Sequence, residues 1–225
     1  MTESDADPDA YARALAAQAS GDDPTAWFEQ LYAAAAGGGA EIPWDRGTAH
    51  PLLVDWAEHA PIGGHGRAMV VGSGPGFDAE YVSAHGFDTV AFDVSATAVE
   101  LARRRHLDSR VDYQVADLLA LPAVWHGGFD LVIETFTVQS MPVRLHDDAI
   151  DAVSALVAPG GTLVVIASAR DDETEPHDGP PWPLSPAEIE RFSSGPLAVE
   201  RVELHPVPQN PGYRGWLAVF TRPHV

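Results

Sequence analysis

Val70-Val71-Gly72-Ser73-Gly74-Pro75-Gly76, then a segment of helical spacing, then Thr89-Val90-Ala91-Phe92-Asp93, is the stretch whose reading decides the fold. It is a short apolar strand, a Gly-x-Gly-x-Gly turn, a helix, and a second apolar strand ending in an acid. Glycine lets the backbone turn sharply and approach a ligand where a Cβ would clash. A carboxylate at the tip of the following strand can accept both hydroxyls of a ribose. The dinucleotide fingerprint Gly-x-Gly-x-x-Gly would need glycine at position 77, where the chain has Phe77. A cofactor with one nucleoside and no phosphates fits this turn better than a dinucleotide.

Working outward, Val111–Leu118, Phe129–Glu134 and Leu156–Val165 read as a third strand, a fourth strand, and a helix end, turn and fifth strand. Ser185-Pro186 starts a helix to about Ser193, and Leu197–His205 and Gly212–Thr221 read as two final strands. The alternation predicts an α/β fold: a doubly wound, mostly parallel seven-stranded sheet, helices on both faces, and a C-terminal antiparallel hairpin. Right-handed crossovers put Gly72, Asp93, Asp117 and Glu134 along one sheet edge, where such sheets bind ligands. Upstream, residues 1–8 read as disordered and 9–20 and 24–36 as alanine-rich helices. The second is closed by Gly37-Gly38-Gly39, and a loop over 40–50 leads to a helix from Pro51 to about His59.

Composition narrows the class. The 225 residues suit about one domain, and no apolar run is long enough for a membrane span. The acidic N-terminus lacks a signal-peptide pattern, so a cytoplasmic protein is the expectation. With no cysteine, thiolate metal sites and a cysteine nucleophile are excluded. Net charge is −20 and all 13 bases are arginine, a field that repels phosphate backbones, so no nucleic-acid partner is expected. A homodimer is left open, and no histidine has metal-ligand spacing.

Gly-x-Gly-x-Gly after the first strand, Asp93 ending the second, Asp117 after the third, and the later strands in order resemble class I S-adenosylmethionine-dependent methyltransferases. Ile42-Pro43-Trp44-Asp45-Arg46-Gly47-Thr48-Ala49-His50-Pro51-Leu52-Leu53 further resembles the stretch preceding the core in the thiopurine, thiol and halide methyltransferase family. The resemblance implies S-adenosyl-L-methionine as cofactor and a small-molecule methyl acceptor. It also implies residues 1–60 as a helical lid segment and 61–225 as the cofactor-binding unit.

The resemblance assigns candidate roles. Gly72, Ser73, Gly74, Gly76 and Phe77 would form the turn around the methionine part, with Asp78 either a helix-start acid or a contact to the cofactor amine. Asp93 and the adjacent Val94 would meet the ribose, since Ser95 is available as helix cap in place of Asp93. Asp117 and Leu118 would face the adenine. Trp44 would wall the active site, its ring face attracting a sulfonium, whereas Trp27 reads as core. Glu134 is expected beside the transferred methyl as sulfonium partner, amine ligand or base, with a solvated strand end as the other reading. His50 is the second candidate base. His65, His146 and His177 are the other histidines that could approach a pocket, and the Pro-rich loop around Trp182 either caps the acceptor or is a surface loop. The polar run Glu134-Thr135-Phe136-Thr137-Val138-Gln139-Ser140-Met141-Pro142 argues against a soft apolar nucleophile. The competing functions are a nicotinamide-dependent oxidoreductase, disfavoured by Phe77, and a non-catalytic cofactor-binding protein.

Overall fold

A computed structural model describes residues 8–19, 23–60, 65–174, 179–207 and 212–224. Residues 1–7 and His177 lie outside them. Helices α1 (Pro8–Gln18), α2 (Ala26–Ala36) and α3 (Pro51–His59) precede the sheet. Then come β1 (Arg67–Val71), α4 (Phe77–Ala84), β2 (Asp88–Asp93), α5 (Ala96–Arg105), β3 (Asp112–Val115), β4 (Phe129–Thr135), α6 (His146–Ala155), β5 (Val157–Ser168), α7 (Pro186–Arg191), β6 (Ala198–Pro206) and β7 (Arg214–Thr221). The strands form one seven-stranded sheet in the order β3-β2-β1-β4-β5-β7-β6. β1 to β5 run parallel, and β7 pairs antiparallel with β5 and with β6. This is the doubly wound sheet with a terminal hairpin that the sequence predicts.

Strand alternation sends successive side chains to opposite faces. Met69, Val71, Val132, Val165 and Phe92 pack beneath α6 and α7 against Ile150, Val153, Ile189 and Phe192. Ala68, Val70, Ile133 and Val164 pack beneath α3, α4 and α5 against Leu53, Trp56, Val82 and Val99. A smaller cluster of Ala12, Trp27 and Leu31, with Phe28 and Trp44 against it, joins α1 and α2 to the loop before α3. Trp27 is therefore core, as read.

Local punctuation follows the sequence closely. Gly37 caps α2, and Ser185 with Glu188 forms a capping box at α7. Two boundaries differ. β3 stops at Val115, because Asp117 turns to cap a short 3-10 turn, its Oδ1 accepting the Leu119 N–H at 2.9 Å. The expected turn at Pro159-Gly160-Gly161 lies inside β5, where the β4–β5 register shifts between Phe129 and Leu131 and Gly160 takes φ 82°. No helix among the described residues is long and apolar enough to cross a membrane.

The strand order reverses between β1 and β4, and a crevice opens there at the C-terminal strand ends. The segment between α2 and α3 folds over it. Two contacts hold α2 and this segment to α5 and its cap. Glu29 accepts the Ser95 and Thr97 hydroxyls at 2.6 and 2.5 Å, and Arg105 reaches Asp45 at 2.6 Å.

Candidate active site

The crevice is a cavity of about 1000 Å³ including its open mouth. Its floor is the turn after β1. Gly72, Gly74 and Gly76 take φ 57°, 48° and 92°, a left-handed region that a side chain makes costly. Close approach adds a second requirement. A Cβ on Gly74 would lie 2.8 Å from the Tyr32 hydroxyl and 3.3 Å from Trp44 Nε1, and one on Gly72 would strike Thr137. Trp44 Nε1 donates to the Tyr32 hydroxyl at 2.7 Å, so these two rings stand together over Gly74. Gly76 faces away from the cavity: its Cα backs onto Tyr113, whose hydroxyl a Cβ would overlap. The third glycine serves helix–sheet packing and does not line the cavity.

Asp93 is buried at the tip of β2, with its Oδ2 accepting the Gly74 N–H and its Oδ1 the Ser95 N–H, both at 2.9 Å. Ser95 itself caps α5 through the Ala98 N–H, as expected. Burial pushes the Asp93 carboxyl up to about 6, against the pull of these N–H donors. Each oxygen keeps a lone pair for a hydroxyl donor. Val94, Asp117, Leu118, Ser73 and Phe77 also line the cavity. Ser73 Oγ is buried with no partner among the described residues, a hydroxyl left for a ligand. Asp78, in the first turn of α4, accepts the His50 N–H at 2.7 Å, and burial raises its pKa.

His50 lines the cavity and caps α3, its Nδ1 accepting the Leu52 N–H at 3.2 Å. That bond places the ring proton on Nε2 and makes the imidazole a donor toward the cavity. Burial, then the charge of Arg46, lowers its pKa to about 3. The ring stays neutral at ordinary pH, with its one lone pair occupied. In this geometry the ring offers the cavity a donor and no lone pair.

Glu134 does not reach the cavity. It shares the face of Val132, which points beneath α6, and is fully buried. Its Oε1 accepts the Thr137 and Val138 N–H groups at 2.7 and 3.0 Å, while Oε2 has no partner among the described residues. Burial pushes its carboxyl up to about 7. It is not a solvated strand end, and it does not line the cavity. Its geometry is that of a clamp on the turn after β4.

That turn also corrects the polarity argument. Thr137 Oγ1 donates to the Val71 carbonyl at 3.1 Å, Ser140 Oγ to the Phe136 carbonyl at 2.7 Å, and Gln139 Oε1 accepts the Ser168 N–H at 2.5 Å. These three polar side chains are spent on backbone, while Thr135 Oγ1, without a partner among the described residues, lines the cavity beside the apolar surfaces of Phe136 and Met141. His65 is exposed and away from the cavity. His146 is buried between Glu188 Oε1 at 2.5 Å and the Met141 carbonyl at 2.9 Å. The Trp182 loop is docked on Gln139, its N–H donating to that carbonyl at 2.6 Å, and does not line the cavity. Sequence reasoning missed Phe28, Arg46, Thr48, Phe136 and Met141 as lining residues. Arg46 and Thr48 lie inside the quoted Pro-Trp-Asp stretch, and Phe136 directly follows β4, so position alone could have flagged all three. Among the described residues no group of three or more His, Asp or Glu could hold a metal ion.

The arrangement suits a nucleoside cofactor lying from Asp117 past Asp93 to Ser73 and Gly74, with a second ligand between Arg46, His50 and Phe136. Comparison with known proteins agrees. Residues 68–161 match the family described as a methyltransferase domain. A 2-heptyl-1-hydroxyquinolin-4(1H)-one methyltransferase of Mycobacteroides abscessus is 27% identical over 158 residues, which cover 69% of this chain and 68% of that one. A probable thiol methyltransferase of Arabidopsis thaliana is 25% identical over 186 residues, 79% of this chain and 80% of that one. The solved structure of the N-methyltransferase NodS from Bradyrhizobium japonicum with S-adenosyl-L-homocysteine shares the fold, with TM-score 0.67 and 18% identity over 87% of this chain and all (100%) of that one.

Proposed function

We infer that this chain, a class I S-adenosylmethionine-dependent methyltransferase acting on small molecules, methylates an aromatic acceptor held between Phe136, Met141 and Phe28. The observation that carries the placement is the Asp93 carboxylate, tied by two N–H donors directly beneath a turn of left-handed glycines. When bound, S-adenosylmethionine supplies an electrophilic methyl group on a sulfonium sulfur. The residues present fit it: Asp93 would take the ribose hydroxyls, Asp117 and Leu118 the adenine, and Ser73, Gly74 and Asp78 the amino-acid end. The stretch up to residue 60 acts as the lid, and Tyr32 and Trp44 over Gly74 support that role.

The chain's own work is alignment. Apolar walls exclude water and hold the acceptor atom in line with the methyl group, an effect on the order of 7–11 kcal/mol for well-oriented reactants. Glu134 contributes by fixing the turn that carries Phe136. The relatives' names place a hydroxylated quinolone and a thiol among the acceptors of similar proteins. An acidic ring hydroxyl or thiol suits this cavity on the same grounds. Calorimetric titration tests the reading: S-adenosylhomocysteine should bind and raise the melting temperature, and NAD should do neither. NAD binding without a response to S-adenosylhomocysteine would overturn it.

A further inference from the structure

At the acceptor end of the cavity a positive charge stands with no carboxylate in salt-bridge contact among the described residues. The Arg46 guanidinium lies 5.1 Å from the centroid of the Phe136 ring. Burial lowers its pKa, Asp78 acts on it only through its charge, and among the described residues no carboxylate forms a salt bridge with it. His50 also presents its Nε2–H here, its ring 5.1 Å from that of Phe136 and edge-on. Phe136 has φ 63°, the one left-handed non-glycine among the described residues. Such a conformation persists where surrounding structure imposes it. Its ring lies against both the guanidinium and the imidazole. The hydroxyls of Thr137 and Ser140 are committed to backbone carbonyls. Asp93 and Asp117 belong to the far end, and Asp78 already accepts the His50 N–H. This end of the cavity can neutralise an anion, and the carboxylate whose charge acts on Arg46, Asp78, is engaged by the His50 N–H.

We propose that the acceptor enters already ionised, as the conjugate base of an acidic hydroxyl or thiol on a flat ring, with Arg46 as its counter-charge and selecting residue. The proposal rests on the methyltransferase reading above. The acceptor atom gives its electron pair to the methyl carbon, the carbon–sulfur bond breaks, and that pair stays on sulfur. An anion and a sulfonium become two neutral molecules, and no proton moves. Because the acceptor's charge fades toward the transition state, its attraction to Arg46 is strongest in the ground state. Arg46 therefore governs capture, seen in KM, more than the chemical step, seen in kcat.

The test is binding to the full chain loaded with S-adenosylhomocysteine, followed by calorimetry. The probes are para-nitrophenolate and para-nitrothiophenolate, each against its neutral methyl derivative, at a pH above both acidities. Each anion should bind about tenfold or more tighter than its neutral partner, the span of one charge-assisted hydrogen bond. Arg46→Gln should erase that preference, Arg46→Lys should restore most of it, and S-adenosylhomocysteine affinity should stay within about twofold. For probes that turn over, Arg46→Gln should raise KM while kcat holds. Equal binding of anion and neutral partner, or a preference that survives Arg46→Gln, overturns the proposal. So does a matching loss of S-adenosylhomocysteine affinity, which would make Arg46 the partner of the cofactor's carboxylate. Failure of wild-type protein to bind S-adenosylhomocysteine would instead sink the methyltransferase reading itself.

Discussion

Thr137 closes over Gly72: its hydroxyl donates to the Val71 carbonyl at 3.1 Å, and its side chain fills the space a Cβ on residue 72 would need. The loops after β1 and β4 are thus packed into one unit at the point where the sheet reverses. Gly72→Ala meets both this collision and the left-handed backbone, and should lower the melting temperature and weaken S-adenosylhomocysteine at least tenfold. Thr137→Ala removes the hydroxyl and methyl that collide, so the double variant should be more stable than the two single losses add up to. Thermal melts of the four proteins measure the coupling. Strict additivity would mean the two loops adjust independently.

Glu134 makes stability pH-dependent in an unusual direction. Its carboxyl is raised from 4.5 to about 7 by burial, so between those values the folded protein holds a proton that the unfolded chain has released. Stability contributed through this group therefore falls as pH rises through that window, and the full penalty is present above about 7. Glu134→Gln keeps an oxygen for the Thr137 and Val138 N–H groups without the charge. It should gain on wild type as pH climbs, with little difference near pH 4.5. Denaturant midpoints across that range provide the comparison, and parallel curves would contradict the assignment.

His50 gives the opposite slope. Its pKa is depressed to about 3, so the unfolded chain binds the extra proton between there and 6.5, and the stability it contributes is lost as pH falls through that window. NMR of the ring nitrogens should show the Nε2–H tautomer with no titration near neutrality. His50→Ala should cost about 1 kcal/mol through the lost cap, and His50→Asn much less. A ring that titrates near 6.5 would return His50 to the list of candidate bases.

Asp93→Ala removes the acceptor of two backbone N–H groups as well as the proposed ribose partner. Each lost charged bond is worth about 1.5–3 kcal/mol. S-adenosylhomocysteine affinity should fall at least tenfold, and the melting temperature should also drop because the glycine turn loses its anchor. Calorimetry and a melt on the same sample separate the two effects. Unchanged affinity would place the ribose elsewhere.

What the sequence disclosed and what it hid divide on a physical line. The glycine turn, Asp93 and the Ser95 cap were legible because each depends on local backbone and a fixed offset from a strand. Glu134 was misplaced because strand-end position does not give the face. Its parity with Val132 sends it beneath α6, and only the register with Val71 and Val165 makes that visible. The polarity of residues 135–140 misled for a related reason: composition cannot tell a hydroxyl facing a ligand from one bonded to a carbonyl. Arg46 and Phe136 escaped because their pairing joins the loop before α3 to the turn after β4, and nothing local in either segment announces it.

The two ties that hold the N-terminal segment to α5, Glu29 to Ser95 and Arg105 to Asp45, span 66 and 60 residues of chain. A contact of that separation must close a long loop before it returns any stabilisation. The segment is synthesised before its docking partners, which emerge only after β2. Its own small cluster of Ala12, Trp27 and Leu31 can pack before those partners exist, but its docking cannot. The covering of the cavity is thus made before its partners and docked after them, and the sheet beneath it must form a ligand-ready floor without help from its roof.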